Sequence, residues 1–258
     1  MKEIKIVFFD VDGTLIPMGA KQLPQRMRHT LTRLREQGIK LCVATGRGPC
    51  TLPDFAQGLF DAYLTYNGAY CYDEQGVIFN NPIAPEEVQQ LLRNAEALGR
   101  PVSIAIRGGL AANGSDEDLA TYYTFANLQL EVDEDFHNTV QQDVYQVMLG
   151  CRKSDYPAIL KDVANVKITG WWERASDVIP ANGGKGTAIR QVLAHYGLDP
   201  ENALAFGDGN NDLEMLQTVG TGVAMGNASQ ELKEIADAVC GKASEDGIYH
   251  YCLSHGLI

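Results

Sequence analysis

A parallel α/β sheet with a second α/β module inserted into it is the fold class predicted by this 258-residue sequence. Three observations carry that reading. The first stretch reads strand, helix, strand, the grammar of a right-handed parallel crossover. The last third repeats this grammar. The middle alternates strands and helices too, but its strands lack the polar loops that end the strands on either side.

Each element follows from its residues. Ile6 to Phe9 is a short unbroken apolar run, as expected of a strand covered on both faces, and it ends at Asp10. Pro24 to Gln37 carries Met27, Leu31 and Leu34 at helical spacing, with Gly38 as a stop. Ile39 to Ala44 is apolar again and ends at Thr45-Gly46-Arg47. At the far end, Thr187 to His195 reads as a helix closed by Gly197, and Ala203 to Phe206 as a strand ending at Gly207-Asp208. Leu213 to Thr218 reads as helix, Gly222 to Met225 as strand and Glu231 to Val239 as helix.

In the middle, Glu86 to Leu98, Asp116 to Asn127 and Ser154 to Val163 are the expected helices. Val102 to Ile106, Leu110 to Ala112, Val144 to Gly150, Lys167 to Trp171 and Ala175 to Ile179 are the expected strands, with Glu173-Arg174 as a turn. Asn81-Pro82 and Pro180-Ala181 suit linker positions. The expected division is therefore a core of residues 1–81 and 181–258 with residues 82–180 inserted.

Composition narrows the partners. Hydrophobic residues make up 45% and charged residues 21%, ordinary for a folded globular chain. The net charge of −12 argues against nucleic acid and anionic membrane as ligands. No apolar run reaches the roughly 18 residues of a membrane span, and the apolar stretch near the N-terminus is too short for a signal peptide. A cytoplasmic location is the expectation, with no obligate protein partner evident. The six cysteines form no C-x-x-C pair and read as reduced, mostly buried thiols.

The chemistry gathers where strands end. In open α/β sheets, ligands bind beyond the carboxyl ends of the strands. Those ends carry Asp10-Val11-Asp12-Gly13-Thr14, Thr45-Gly46-Arg47, Gly207-Asp208-Gly209-Asn210-Asn211-Asp212 and Gly226-Asn227. If they converge, several carboxylates share one crevice. Two such charges about 4 Å apart repel by roughly 4 kcal/mol at an effective dielectric of about 20. A divalent cation reverses that cost, and an all-oxygen donor set suits Mg²⁺. Lys185, at the start of a helix in Gly183-Gly184-Lys185-Gly186-Thr187, is the candidate counter-charge for a phosphate. This segment is not a P-loop, since Ile179 stands where the first glycine is needed and Gly186 where Ser or Thr is needed.

These segments resemble the four motifs of the haloacid dehalogenase superfamily. Tyr66-Asn67-Gly68-Ala69 and Gly222 to Ala228 are similar to its Cof-type branch, subclass IIB, which carries a large α/β cap. The resemblance runs in order from residue 10 to about 228. It implies a Rossmann-like parallel-sheet core with an inserted cap, and an Mg²⁺-dependent phosphatase working through an aspartyl-phosphate on small phosphate monoesters, sugar phosphates or similar metabolites. Asp10 would be the nucleophile and Asp12 the general acid and base. Val11, Thr45, Gly46, Lys185 and Asn211 would bind the phosphoryl group. Asp10, the carbonyl of Asp12 and Asp208 would hold the metal, with Asp212 behind them; Asp212 could also cap the helix from Leu213. Arg47 and Asn67 are possible substrate contacts, and Asn67 could equally be an Asn-Gly turn.

In the insertion, Trp171, Trp172, Arg174 and Arg107 are candidates to face the substrate, while His137, Tyr122 and Tyr123 read as core or surface. Two other functions stay open: a phosphotransferase or phosphosugar mutase, and a non-catalytic phosphate-ligand sensor.

Overall fold

The computed structural model describes residues 3–125 and 128–258, and Trp171 by its backbone alone. The strands are β1 (Ile6–Phe9), β2 (Lys40–Ala44), β3 (Ala62–Thr65), β4 (Tyr70–Asp73), β5 (Gly76–Asn80), β6 (Val102–Ile106), β7 (Gly109–Ala112), β8 (Val144–Gly150), β9 (Val166–Trp172), β10 (Ala175–Pro180), β11 (Ala203–Gly207), β12 (Thr221–Ala224) and β13 (Ala238–Val239). The helices are α1 (Gln25–Glu36), α2 (Pro85–Ala97), α3 (Glu117–Phe125), α4 (Phe136–Thr139), α5 (Tyr156–Ile159), α6 (Lys185–Tyr196), α7 (Leu213–Thr218), α8 (Gln230–Ile235) and α9 (Gly247–Ser254).

The larger sheet has the order β13-β12-β11-β1-β2-β3-β4-β5. β1 is buried along its whole length and pairs in parallel with β2 on one side and β11 on the other. The chain winds outward from β1 through β2 and β3, then outward the other way from β11. The reversal lies between β1 and β11, where a crevice opens beyond the strand ends. The sheet is not parallel throughout: β3, β4 and β5 are antiparallel neighbours. These last three strands were not anticipated, because their apolar runs are short, three or four residues at most, and mixed with polar positions.

The second sheet, β7-β6-β8-β10-β9, is antiparallel at every pairing. Each sheet has its own hydrophobic core: one is built from residues 4–71 and 188–252, the other from residues 83–178. A third cluster is shared, joining Tyr66, Ala69 and Tyr70 to Ala105, Leu119, Tyr122, Tyr123, Tyr145, Met148 and Ala175. The two chain crossings lie side by side, since the Asn81 amide donates to the Asn182 side-chain oxygen at 3.1 Å.

Two helices end earlier than the sequence suggests. The helix expected over Glu231 to Val239 stops at Ile235. Asp237 bridges to Gly222 through its N–H (2.9 Å) and its carboxylate (2.7 Å), drawing Ala238-Val239 into the sheet as an edge strand. The helix expected over Ser154 to Val163 shrinks to α5 after a 3₁₀ turn, and the chain leaves through Asp162 in the left-handed region, φ +58°. The end of the Asp116–Asn127 helix falls on residues outside those described. α9 was not anticipated; it packs on α1.

Candidate active site

Asp10 stands at the end of β1, its N–H donating to the Phe206 carbonyl at 3.0 Å as the last step of the ladder with β11. The chain then turns back, with the Gly13 N–H donating to the Ile16 carbonyl at 2.8 Å and that of Ile16 to the Val11 carbonyl at 3.1 Å. Gly13 has φ +88°, and a Cβ there would lie 2.1 Å from an Asp208 carboxylate oxygen. Only glycine lets the β1 loop and the β11 loop approach this closely. Thr14 donates to Asp208 at 3.0 Å, and the Asn227 amide bridges the Gly13 carbonyl (2.8 Å) and Asp208 (3.3 Å).

One oxygen from each of Asp10, Asp208 and Asp212 lies within 4.8 Å of the others. Lys185, the first residue of α6 and 1% exposed, donates to Asp10 at 2.7 Å and to Asp212 at 2.5 Å. Three carboxylates against one ammonium leave an excess of negative charge. Burial pushes the Asp10 carboxyl well above the usual range; Lys185 opposes this, and Asp212 and Asp208 add to it. Burial, then the charge of Asp212, pushes Asp208 up to about 7. For Lys185, burial disfavours the charge, but Asp10 and Asp212 outweigh it and hold the ammonium above its ordinary range. Such a set of oxygen donors with unbalanced negative charge could hold a hard divalent cation.

Asp212 is fully committed. Its other oxygen accepts the N–H groups of Asp208 and Gly209, both at 3.0 Å, folding the β11 loop around it. It occupies the N-cap position of α7, but its side chain accepts nothing from that helix. Asp12 is gripped by Arg47 in a two-pronged pair, Nε at 2.7 Å and Nη2 at 2.8 Å. Burial disfavours the Arg47 charge, and the Asp12 contact more than compensates.

A cavity of about 360 Å³ joins these groups. Asp10, Asp12, Thr45, Gly46, Arg47, Asp208 and Asn211 line it. Lys185, Asp212 and Val11 are buried beneath. Asn67 is absent from its wall: with φ +52° it turns inward, donating to Gln146 (3.1 Å) and Asp177 (3.2 Å) and accepting from Asn211 (3.1 Å).

The candidates in the insertion turn out differently. Arg174 pairs with Asp118 at 3.2 Å and lies over the Trp172 ring, and Arg107 lies over Tyr70 on a separate pocket. The Trp171 side chain is outside what is described. His137 is exposed and Tyr123 is buried against Ser103, as expected. Tyr122, expected in core or surface, instead lines the cavity with Leu110, Phe125, Leu128, Met148 and Asp177. Apart from Tyr122 and Phe125, three apart on α3, no spacing links these six, because they come from segments that only the packed insertion brings together. Thr14 and Asn227 were also missed as Asp208 partners, although each sits within a motif at a strand end.

The model of the haloacid dehalogenase-like hydrolases matches residues 7–252. The chain belongs to that family. The Bacillus subtilis protein YkrA is 33% identical over 263 residues, covering 98% of both chains. The 5-amino-6-(5-phospho-D-ribitylamino)uracil phosphatase YitU of the same organism is 28% identical over 259 residues, 95% of each. The solved subclass IIB sugar phosphatase BT4131 superposes with a TM-score of 0.90 at 29% identity, covering 98% of this chain and 100% of that one. The chain is thus a phosphatase of the haloacid dehalogenase family. No helix among the described residues is long and apolar enough to cross a membrane.

Proposed function

We propose that this phosphatase hydrolyses small phosphate monoesters, sugar phosphates or similar metabolites, through an aspartyl-phosphate on Asp10. The observation that carries the reading is Asp10 itself: a buried carboxylate lining the cavity, with Lys185 at 2.7 Å. An Asp10 oxygen attacks phosphorus, the ester P–O bond breaks, and Asp12 gives a proton to the departing alcohol. Water then attacks the same phosphorus, Asp12 takes its proton, and the acyl-phosphate P–O bond breaks to return Asp10. Lys185 spends two of its three N–H donors on Asp10 and Asp212 and has one left for a phosphoryl oxygen. Thr45, Gly46 and the N–H of Val11 surround the same oxygens. Arg47 grips Asp12 through two hydrogen bonds, and an incoming phosphate would compete for that guanidinium. Asn211 spends one amide N–H on Asn67 and has the other for the phosphate.

The donor set fits Mg²⁺. Asp10, Asp208 and the carbonyl of Asp12 would hold it, with Asp212, already occupied by Lys185 and two N–H groups, behind them. When bound, it would supply positive charge against the phosphate and the carboxylates.

Residues 82–180 act as the cap over a core of 1–81 and 181–258. The separate hydrophobic cores and the adjacent crossings support this. A cap closing over the cavity excludes water until the acyl-phosphate has formed.

The test is hydrolysis of p-nitrophenyl phosphate with Mg²⁺ and with EDTA, by wild type and Asp10→Asn. Metal-dependent release that disappears in the variant is expected. Turnover by Asp10→Asn close to wild type would remove the nucleophile assignment, and phosphate passed mainly to an added sugar alcohol would favour the phosphotransferase reading.

A further inference from the structure

The cavity wall supplied by the second sheet differs in chemistry from the catalytic floor. Leu110, Phe125, Leu128 and Met148 make it mostly apolar. One ionisable carboxylate interrupts it. Asp177, on β10, is 1% exposed and lines the cavity. One of its oxygens accepts the Tyr122 hydroxyl at 2.8 Å and the other accepts the Asn67 amide at 3.2 Å. Gln146 adds a third hydrogen bond; an ionised carboxylate offers about four acceptor sites, so about one is left for a ligand. Among the described residues no lysine, arginine or histidine pairs with it. A buried carboxylate without a protein cation is a costly feature of a ligand site unless the ligand supplies a donor or a positive charge.

Resting on the monoester-phosphatase reading, we propose that Asp177 is a specificity-determining residue. It accepts a hydrogen bond from an amine or ring N–H on the leaving alcohol, and Tyr122 is its positioning residue. The favoured substrates are phosphate esters of small, flat, nitrogen-bearing alcohols rather than of plain sugars. Leucine and methionine side chains suit the faces of a ring. A hexose would set hydroxyls against Leu110, Leu128 and Met148, which cannot bond them. A cavity of about 360 Å³ is at the small end of ligand pockets and matches one ring plus a phosphate.

The experiment compares kcat/KM for benzyl phosphate, 3-(aminomethyl)benzyl phosphate and glucose 6-phosphate in wild type, Asp177→Asn and Tyr122→Phe. A charge-assisted hydrogen bond predicts a wild-type preference for the amine ester over benzyl phosphate of roughly tenfold to a hundredfold. That ratio falls to near one in Asp177→Asn and to an intermediate value in Tyr122→Phe, mainly through KM. Three results would overturn the proposal: no amine preference in wild type, a preference surviving Asp177→Asn, or glucose 6-phosphate as the best of the three. An equal loss on all three esters in Asp177→Asn would make the residue structural and also overturn it. If wild type hydrolyses none of them, the monoester reading fails separately. Calorimetric binding of the two aryl esters to wild type and Asp177→Asn then decides the Asp177 claim on the same ratio.

Discussion

At the scale of single residues, the site is built from groups whose charges do not balance. Asp10, Asp208 and Asp212 crowd one ammonium; burial raises Asp10 and Asp208 first, and the neighbouring carboxylates add to it. Asp177 is a second case, away from that carboxylate cluster. Burial pushes it up to about 7, against hydrogen bonds from Tyr122, Asn67 and Gln146 that pull it down. Its only titratable partner among these is Tyr122. The folded value lies above the ordinary 3.8, so the folded protein holds a proton that the unfolded chain gives up. The stabilising contribution is full below about pH 4 and is lost as pH rises through about 7. Asp177→Asn removes that loss. The variant should gain on wild type between pH 5 and pH 8, by on the order of 2–4 kcal/mol at most. Urea unfolding of both proteins at the two pH values measures it; a flat difference would mean the buried carboxylate is compensated by something else.

At the scale of elements, short connectors do more than the helices and strands they join. The turn between β3 and β4 is the clearest. Tyr66 and Asn67 both have φ +52°, a left-handed conformation that costs a non-glycine residue about 1 kcal/mol or more. What holds it is contact with the insertion. The Tyr66 hydroxyl donates to the Ile106 carbonyl at 2.7 Å, its ring stacks on Tyr145 with centroids 5.4 Å apart, and Asn67 links Asn211 to Gln146 and Asp177. Gly48 leaves room for that ring: a Cβ there would lie 2.2 Å from it. Tyr66→Phe keeps the stack and deletes the bond, leaving a buried carbonyl without its donor. A loss of about 1–3 kcal/mol in denaturant unfolding is expected. No change would show that the hydroxyl adds nothing to the junction between the two sheets.

At the scale of the whole molecule, two sheets with separate cores meet at one aromatic seam, and the cavity lies where they face each other. The Lys167–Glu214 pair, at 2.5 Å, is another tie across that junction. Replacing residues 82–180 by a short linker between the adjacent crossings should leave a core that folds cooperatively. It would expose Tyr66, Ala69 and Tyr70 and so be less soluble. Aryl phosphate turnover should drop at least tenfold and selectivity among esters should flatten, because Asp177, Tyr122 and the apolar wall go with the insertion. Circular dichroism melting and a small ester panel check both halves of this. A core without a melting transition would make the two sheets one folding unit.

The polar floor of the cavity was legible in the sequence because its parts lie next to one another in the chain or at strand ends. A parallel sheet delivers all such ends to one edge, so Asp10, Asp12, Thr45, Arg47 and Asp208 could be placed together from apolar runs alone. Lys185 could be read from its place at the start of a helix. Partner choice within that floor was not legible: that Arg47 takes Asp12, and that Asp212 binds backbone N–H groups of its own loop rather than capping α7, depends on ångström-scale distances. The substrate wall was less legible still. Leu110, Tyr122, Phe125, Leu128, Met148 and Asp177 span 68 positions and several elements, and only Tyr122 and Phe125, on α3, share a helical spacing. Their meeting is decided by how the antiparallel sheet packs against the core. Sequence alone therefore determined the fold class and which polar groups gather at the strand ends, because local pattern encodes both. The tertiary structure decided which side chains pair and what lines the cavity, because those depend on long-range packing.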